Sequence, residues 1–260
     1  MRRWAKRSIK KAIGALGYEI RPRRWSEVAP ERAEGFDDGF LPLYERCREH
    51  TMTSVYKMHA LFRAVRHLVD NGVEGDVLET GVAAGGSMMM AAVTLLDRGD
   101  RTRDLWLFDT FEGMPPPDPE VDRNYRGDAA QPLWDAQVRD GHNAWCYASL
   151  DTVRTNMAAT GYPAERVHYV QGKVQDTTPA QAPGRIALLR LDTDWYDSTR
   201  HELEHLYPRL VPGGVLIIDD FGQWEGCRKA VEEWRAVVRP SPLLVRIDRL
   251  GVLAVKPAPR

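Results

Sequence analysis

The stretch Gly75-Asp-Val-Leu-Glu-Thr-Gly-Val-Ala-Ala-Gly-Gly-Ser87 decides the fold. A short apolar strand, Val77-Leu78, ends in Glu79, a glycine turn follows, and a helical pattern begins at Met88. Glycines let a backbone turn sharply and come close to a ligand. The new helix offers free N–H groups and a positive dipole end. Together these features predict a nucleotide-type cleft at the carboxyl end of a parallel strand.

The spacing of Gly81, Gly85 and Gly86 is not that of the dinucleotide fingerprint G-x-G-x-x-G. The loop reads E-x-G-x-x-x-G-G and resembles the first motif of S-adenosylmethionine-dependent methyltransferases. An acidic Glu79 beside the loop suits a ligand with an ammonium and a sulfonium better than a pyrophosphate. The bland alternative is an ordinary strand-turn-helix connection.

Working outward, alternation of strands and helices predicts an α/β, Rossmann-like fold. Its mostly parallel seven-stranded sheet has helices on both faces and one antiparallel strand from a C-terminal hairpin, Leu243 to Ile247 and Val252 to Val255. Thr53 to Val69 reads as an amphipathic helix, capped by Thr53 or Ser54. Leu105 to Phe108 is a buried strand ending in Asp109, an acid placed for a ribose diol or, equally, for a turn cap. Gln171 to Thr177 is a loop in which Gln171 and Asp176 face an adenine edge. Residues 1–25 form a basic amphipathic segment and 26–260 the main domain. Its polar stretch 26–52 is expected to act as a lid, and the Pro- and Trp-rich insert 112–147 as a substrate cover. His142, in that insert, is either a general base or a surface loop residue.

Composition narrows the setting. The hydrophobic fraction, 43%, suffices for a core. Three cysteines without metal-type spacing indicate a reducing compartment. Neither a secretory h-region nor a run of roughly 20 apolar residues is present, so a cytoplasmic location is expected, with peripheral contact at the inner membrane face as an option. Residues 1–24 hold nine Lys or Arg and one acid; the remainder carries 27 basic and 36 acidic residues, a net of −9. The basic segment could dock on an anionic membrane surface, pack on the acidic body or a second subunit, or hang free. A homo-oligomer is expected. An acidic body argues against a nucleic-acid groove and suits a divalent cation.

Two successive strands end in acids, Asp192 and Asp194 on one, Asp219 and Asp220 on the next. Neighbouring parallel strands lie about 4.8 Å apart, so these carboxylates can meet around one ion. Hard oxygen donors suit Mg²⁺, and close-set acids need a cation to stay ionised together. Asp194 and Asp197 could instead cap the following helix. A D-x-D pair at Asp192 and Asp194 also admits a metal-dependent glycosyltransferase, and the basic segment a non-enzymatic surface scaffold. Methyl transfer asks for alignment and a deprotonated oxygen, and Asp192 is the expected base.

Glu79 to Ser87, Leu107-Phe-Asp-Thr-Phe-Glu-Gly-Met-Pro115, Leu191-Asp-Thr-Asp-Trp-Tyr-Asp-Ser-Thr199 and Gly213-Gly-Val-Leu-Ile-Ile-Asp-Asp220 resemble the TylF family of macrocin- and mycinamicin-type sugar O-methyltransferases. The resemblance runs from about Thr51 to the C-terminus. It implies a Mg²⁺-dependent enzyme that methylates a hydroxyl of a small-molecule glycoside, in a natural product or a surface glycan. It implies Asp192, Asp219 and Asp220 as metal ligands, with Asp192 also the base. It implies Glu79, Gly81, Ser87 and Asp109 around S-adenosylmethionine, with Thr53 against it; Thr80 and Gly85, in the same stretch, are further expected cofactor-site residues.

Overall fold

The computed structural model describes residues 35–259. The basic segment 1–25, and the start of the expected lid, lie outside them. In chain order the elements are α1 (Phe40–Glu45), α2 (Val55–Asp70), β1 (Asp76–Thr80), α3 (Gly86–Asp97), β2 (Leu105–Asp109), α4 (Gln131–Asp135), β3 (Val138–Arg139), β4 (His142–Asn143) and α5 (Leu150–Ala158). Then come β5 (Val167–Gln171), α6 (Val174–Thr177), β6 (Ile186–Leu191), α7 (Tyr196–His205), β7 (Leu210–Ile218), α8 (Glu225–Val237), β8 (Val245–Arg246) and β9 (Val252–Val255).

Seven strands form one sheet in the order β5-β2-β1-β6-β7-β9-β8. All neighbours are parallel up to β7; β9 runs antiparallel to β7 and to β8. The strand order reverses between β1 and β6, so the crevice of a doubly wound sheet opens at their carboxyl ends.

The centre of the sheet is hydrophobic on both faces, as a parallel sheet between helix layers requires. Val77, Leu105, Leu107, Leu188, Val215 and Ile217 join a core with α2 and α3. Leu78, Phe108, Leu189, Leu191, Leu216 and Ile218 join a second core with α7 and α8. Within β7, Pro212-Gly213-Gly214 is an irregularity in the strand: the register shifts between Ile186 and Leu188, and Gly213 takes φ +80°. β8 shrinks to two residues because Asp248 caps the hairpin turn through the amides of Leu250 and Gly251.

The region read as a lid is part core. Phe40, Tyr44 and Cys47 are buried against α2, and among the described residues of that region only His50 to Met52 reach the cleft. The insert 112–147 has little regular structure but is tied down by aromatic rings. Trp145 meets Trp195 and Trp224 at centroid distances of 5.7 and 5.9 Å. The indole N–H groups of Trp134 and Trp195 donate to the carbonyls of Met114 and Pro115.

Neither Asp194 nor Asp197 caps α7. Asp122, from the insert, accepts the Tyr196 amide at 3.0 Å and the Asp118 amide at 2.7 Å. Asp122 is fully buried, and a Cβ at Gly226 would stand 2.0 Å from its Oδ1, so only glycine fits there. The cap comes from 74 residues away, beyond the reach of a local reading. Asp122→Ala should therefore lower stability by about 1–3 kcal/mol, measured by urea denaturation. It should also raise protease cleavage within 112–147, against an unchanged pattern if Asp122 were a passive surface acid.

Candidate active site

A cleft of about 1250 Å³ opens at the carboxyl ends of β1, β2, β6 and β7. Small-molecule pockets run to about 300–1,000 Å³, so this one has room for two ligands side by side. One wall is Gly81, Val82, Ala83, Ser87, Phe108 and Asp109, the other Met114, Tyr125, Trp145, Gln223, Arg249 and Leu250. Asp192, Asp194, Asp219 and Asp220 also line it.

The glycine loop is shaped by close approach. Gly81 takes φ +78°, and a Cβ there would lie 2.0 Å from the Asp192 carbonyl oxygen. Asp109 is the clamp of the loop: Oδ2 accepts the amides of Val82 and Ala83 at 2.7 and 3.1 Å, and Oδ1 accepts the Phe111 amide at 2.7 Å. Burial raises its pKa, and these backbone donors oppose the rise. Both sequence readings of Asp109, ribose-facing acid and turn cap, thus fall on a residue that caps the loop and also faces the cleft.

The acids are held by two cations the sequence reading passed over. Arg190, 2% exposed near the carboxyl end of β6, donates to Glu79, to Asp192 Oδ2 at 2.6 Å, to Asp219 Oδ1 and to Thr53 Oγ1 at 3.1 Å. Lys57, 5% exposed on α2, donates to the Asp219 carbonyl at 2.9 Å and to its Oδ2. Both left signals in the sequence. Arg190 interrupts a continuous apolar strand, and Lys57 sits on the apolar stripe of its helix beside Met58 and Leu61.

Burial raises the pKa of Glu79 to about 8, of Asp194 to about 8, and of Asp192 and Asp220. Asp219 is also buried, yet Lys57 and Arg190 outweigh that and hold it below the usual carboxylate range. The argument that close-set acids demand a metal is thereby modified, since two side-chain cations already stand among them. They do not suffice. Among the described residues Arg190 and Lys57 are the cations that face Glu79, Asp192, Asp194, Asp219 and Asp220, so without a further cation several of these acids hold a proton and do not stay ionised together.

Oxygens of Asp192, Asp219 and Asp220 converge within 4.8 Å of one another. Asp220 Oδ2 is buried with no hydrogen-bond partner. An all-carboxylate set with an orphaned oxygen fits a hard divalent cation. The loop wall offers the backbone amides at the start of α3 to an anionic group and lies beside acids that suit a cationic one, so it fits a ligand carrying both charges.

Other expected site residues stand elsewhere. Glu79 does not line the cleft: it pairs in register with Arg190 across β1 and β6, and the ion pair turns it inward. Thr80 is buried, its hydroxyl on the Arg190 carbonyl at 3.4 Å. Gly85 is the N-cap of α3 at φ +88°, backed by Val153. Gln171 is exposed and donates to the Thr110 carbonyl at 3.2 Å; Asp176 is exposed on α6. Gly172 and Val174 take their place in the wall. Ser54, not Thr53, caps α2, which leaves Thr53 to accept from Arg190. His142 lies outside the cleft wall, its Nδ1 near the Asp140 carbonyl at 3.2 Å.

The family model of macrocin O-methyltransferase, TylF, matches residues 19–256. The chain belongs to the TylF family. Among its relatives, an 8-demethyl-8-(2,3-dimethoxy-alpha-L-rhamnosyl)-tetracenomycin-C 4'-O-methyltransferase of Streptomyces olivaceus is 38% identical over 78% of this chain and 74% of its own. Mycinamicin III 3''-O-methyltransferase of Micromonospora griseorubida is 36% identical over 78% and 77%. The structure of the O-methyltransferase NovP superposes with a TM-score of 0.71 at 31% identity, covering 80% of this chain and 83% of that one. This TylF chain is therefore an S-adenosylmethionine-dependent O-methyltransferase, and the glycosyltransferase and scaffold readings fall away. Among the described residues no helix is long and apolar enough to cross a membrane.

Arg190→Met removes the cation shared by three carboxylates, and breaking such a buried pair costs about 3–5 kcal/mol. Glu79 and Asp192 then have folded pKa values further above their unfolded ones, and Asp219 loses one of the two cations that hold it down, so the stability of the variant is best kept at low pH and is lost as pH rises. The variant should unfold earlier than the parent at pH 8 and regain part of the difference at pH 5, read by thermal melts. A deficit independent of pH would contradict the assigned role of Arg190.

Proposed function

We propose that this TylF enzyme transfers a methyl group from S-adenosylmethionine to a hydroxyl of a sugar in a glycosylated natural product or surface glycan, assisted by Mg²⁺. The observation that carries the reading is the meeting of Asp192, Asp219 and Asp220 within 4.8 Å at a cleft with room for donor and acceptor. In this reading the three aspartates hold Mg²⁺. Bound Mg²⁺ would lower the pKa of a coordinated hydroxyl, and bound S-adenosylmethionine brings the electrophilic methyl group.

The chain's own residues then have distinct tasks. Thr53, Gly81, Ser87 and Asp109 form the donor wall. Glu79, Thr80 and Gly85 serve it from behind, by fixing Arg190, β6 and the start of α3. Asp192 takes the acceptor proton. Arg190 holds its Oδ2 and leaves Oδ1 without a protein hydrogen bond among the described residues, so one oxygen is oriented and the other is free to accept. Trp224 donates to Asp194 Oδ1 at 2.7 Å, which orients Asp194 beside Asp192. The insert closes the acceptor side and excludes water.

For residues 1–24 we retain docking on an anionic membrane surface, which deletion of that segment should abolish in liposome flotation; a homo-oligomer is expected by light scattering.

A screen of glycosylated acceptors with radiolabelled S-adenosylmethionine should give methyl transfer that EDTA abolishes and Mg²⁺ restores. Asp192→Asn should lower the rate by about 100-fold or more while binding of S-adenosylhomocysteine by calorimetry stays within a few-fold. Full activity in EDTA, or in the variant, would remove the proposed mechanism.

A further inference from the structure

The acceptor end of the cleft carries a charge pattern the reaction does not explain. Three segments far apart in sequence bring four arginines over the rings of Tyr125 and Phe221, with Arg123 beside them in the insert. Arg123 and Arg126 come from the insert, Arg228 from α8, and Arg246 and Arg249 from the C-terminal hairpin. The Arg249 and Arg126 guanidinium groups stand 4.5 and 5.3 Å from the Tyr125 ring centre. Those of Arg246 and Arg228 stand 5.1 and 5.6 Å from the Phe221 ring. Tyr125 is anchored by its amide on the Gln223 carbonyl at 2.9 Å, and Arg246 donates to the Arg249 carbonyl at 2.9 Å.

None of the five is in an ion pair among the described residues. Arg123, Arg228 and Arg246 make hydrogen bonds only to carbonyls, of Gly127, Phe221 and Arg249. Acids close by have other partners: Asp248 accepts from Ser54 at 2.6 Å and Asp128 from Asn124 at 3.1 Å. Beyond residue 24 the chain has 36 acids to 27 basic residues, so unpaired arginines gathered on one rim are a segregation of charge, and their mutual repulsion has to be offset. Guanidinium forks match phosphate oxygens bidentately, which lysines do not. Tyr125 and Arg249 belong to the wall that also contains Asp192, Asp194 and Asp220. One ligand lying in the cleft thus meets carboxylates at its reacting end and arginines at the other.

We infer that the acceptor is a sugar bearing a phosphate or diphosphate, whose anionic group sits on Arg126 and Arg249 with Tyr125 between them while its hydroxyl reaches Asp192. This rests on the methyltransferase reading above and moves the sugar hydroxyl it names from a finished glycoside to an activated, phosphate-bearing sugar. The phosphoester can come from a nucleoside diphosphate sugar or from a sugar diphosphate on a lipid carrier; the chemistry recognised at the rim is the same.

The test is calorimetric, on the full chain saturated with S-adenosylhomocysteine and Mg²⁺. Inorganic pyrophosphate, UDP-glucose and methyl α-D-glucoside are titrated separately, and flotation with vesicles carrying polyprenyl diphosphate tests the lipid source. UDP-glucose or the polyprenyl diphosphate should bind about tenfold or more tightly than the neutral glycoside, and which of the two wins identifies the source. Pyrophosphate should compete. Arg126→Gln with Arg249→Gln should abolish the preference and leave S-adenosylhomocysteine affinity unchanged, which also shows that the variant is folded. Equal binding of neutral and phosphorylated ligands, or a preference that survives in the double variant, overturns the inference. Either result leaves the methyltransferase reading standing, since that fails only if S-adenosylhomocysteine does not bind or no acceptor is methylated.

Discussion

The site depends on a buried guanidinium. Arg190 stands in the central strand of the sheet, in contact with carboxylates from β1, the end of β6 and the end of β7. Burying one charge is costly, and burying several is tolerable only when they pair with good geometry and their remaining hydrogen bonds are met. Arg190 supplies the pairing for Glu79, Asp192 and Asp219 together and Lys57 completes Asp219, while Glu79 Oε2 stays without a hydrogen-bond partner. This network lets strongly repelling acids share the floor of one cleft. It also leaves Asp220 short of partners, and that shortage is the reason a divalent cation fits there.

The fold and the site meet at the reversal of strand order. Because β1 and β6 are neighbours there, the loop after β1 and the acids after β6 face one space. Gly81 allows the contact, since any side chain would strike the Asp192 backbone. Asp109 then fixes the loop by accepting from two of its amides. Cofactor wall and acid floor are thus joined by backbone contact and not only by side chains, which holds donor and acceptor in a constant relation, as methyl transfer requires.

The insert gives the acceptor side its character. It lacks long elements, yet Trp145, Trp195 and Trp224 lock it to the two segments that follow β6 and β7, and Asp122 caps α7 from within it. A segment so anchored behaves as a wall and not as a free flap. Its basic residues face those of the C-terminal hairpin across the cleft mouth, so acceptor chemistry is written in parts of the chain with no periodic pattern.

Sequence alone determined the sheet, the glycine loop and the acid-ended strands, because strand periodicity, turn chemistry and strand-end acids are local patterns. Asp192, Asp219 and Asp220 were legible for that reason, and so was the loop from Gly81 to Ser87. Tertiary structure alone decided where the charges go. Glu79 looked like a ligand residue but turns inward to Arg190; Asp194 and Asp197 looked like caps, but Asp122 does that work from the insert. The carboxylates, Arg190 and Lys57 come from four separate segments, and a buried ion network is fixed by which neighbours can satisfy each charge once water is gone. That depends on distances in space, which no spacing along the chain encodes.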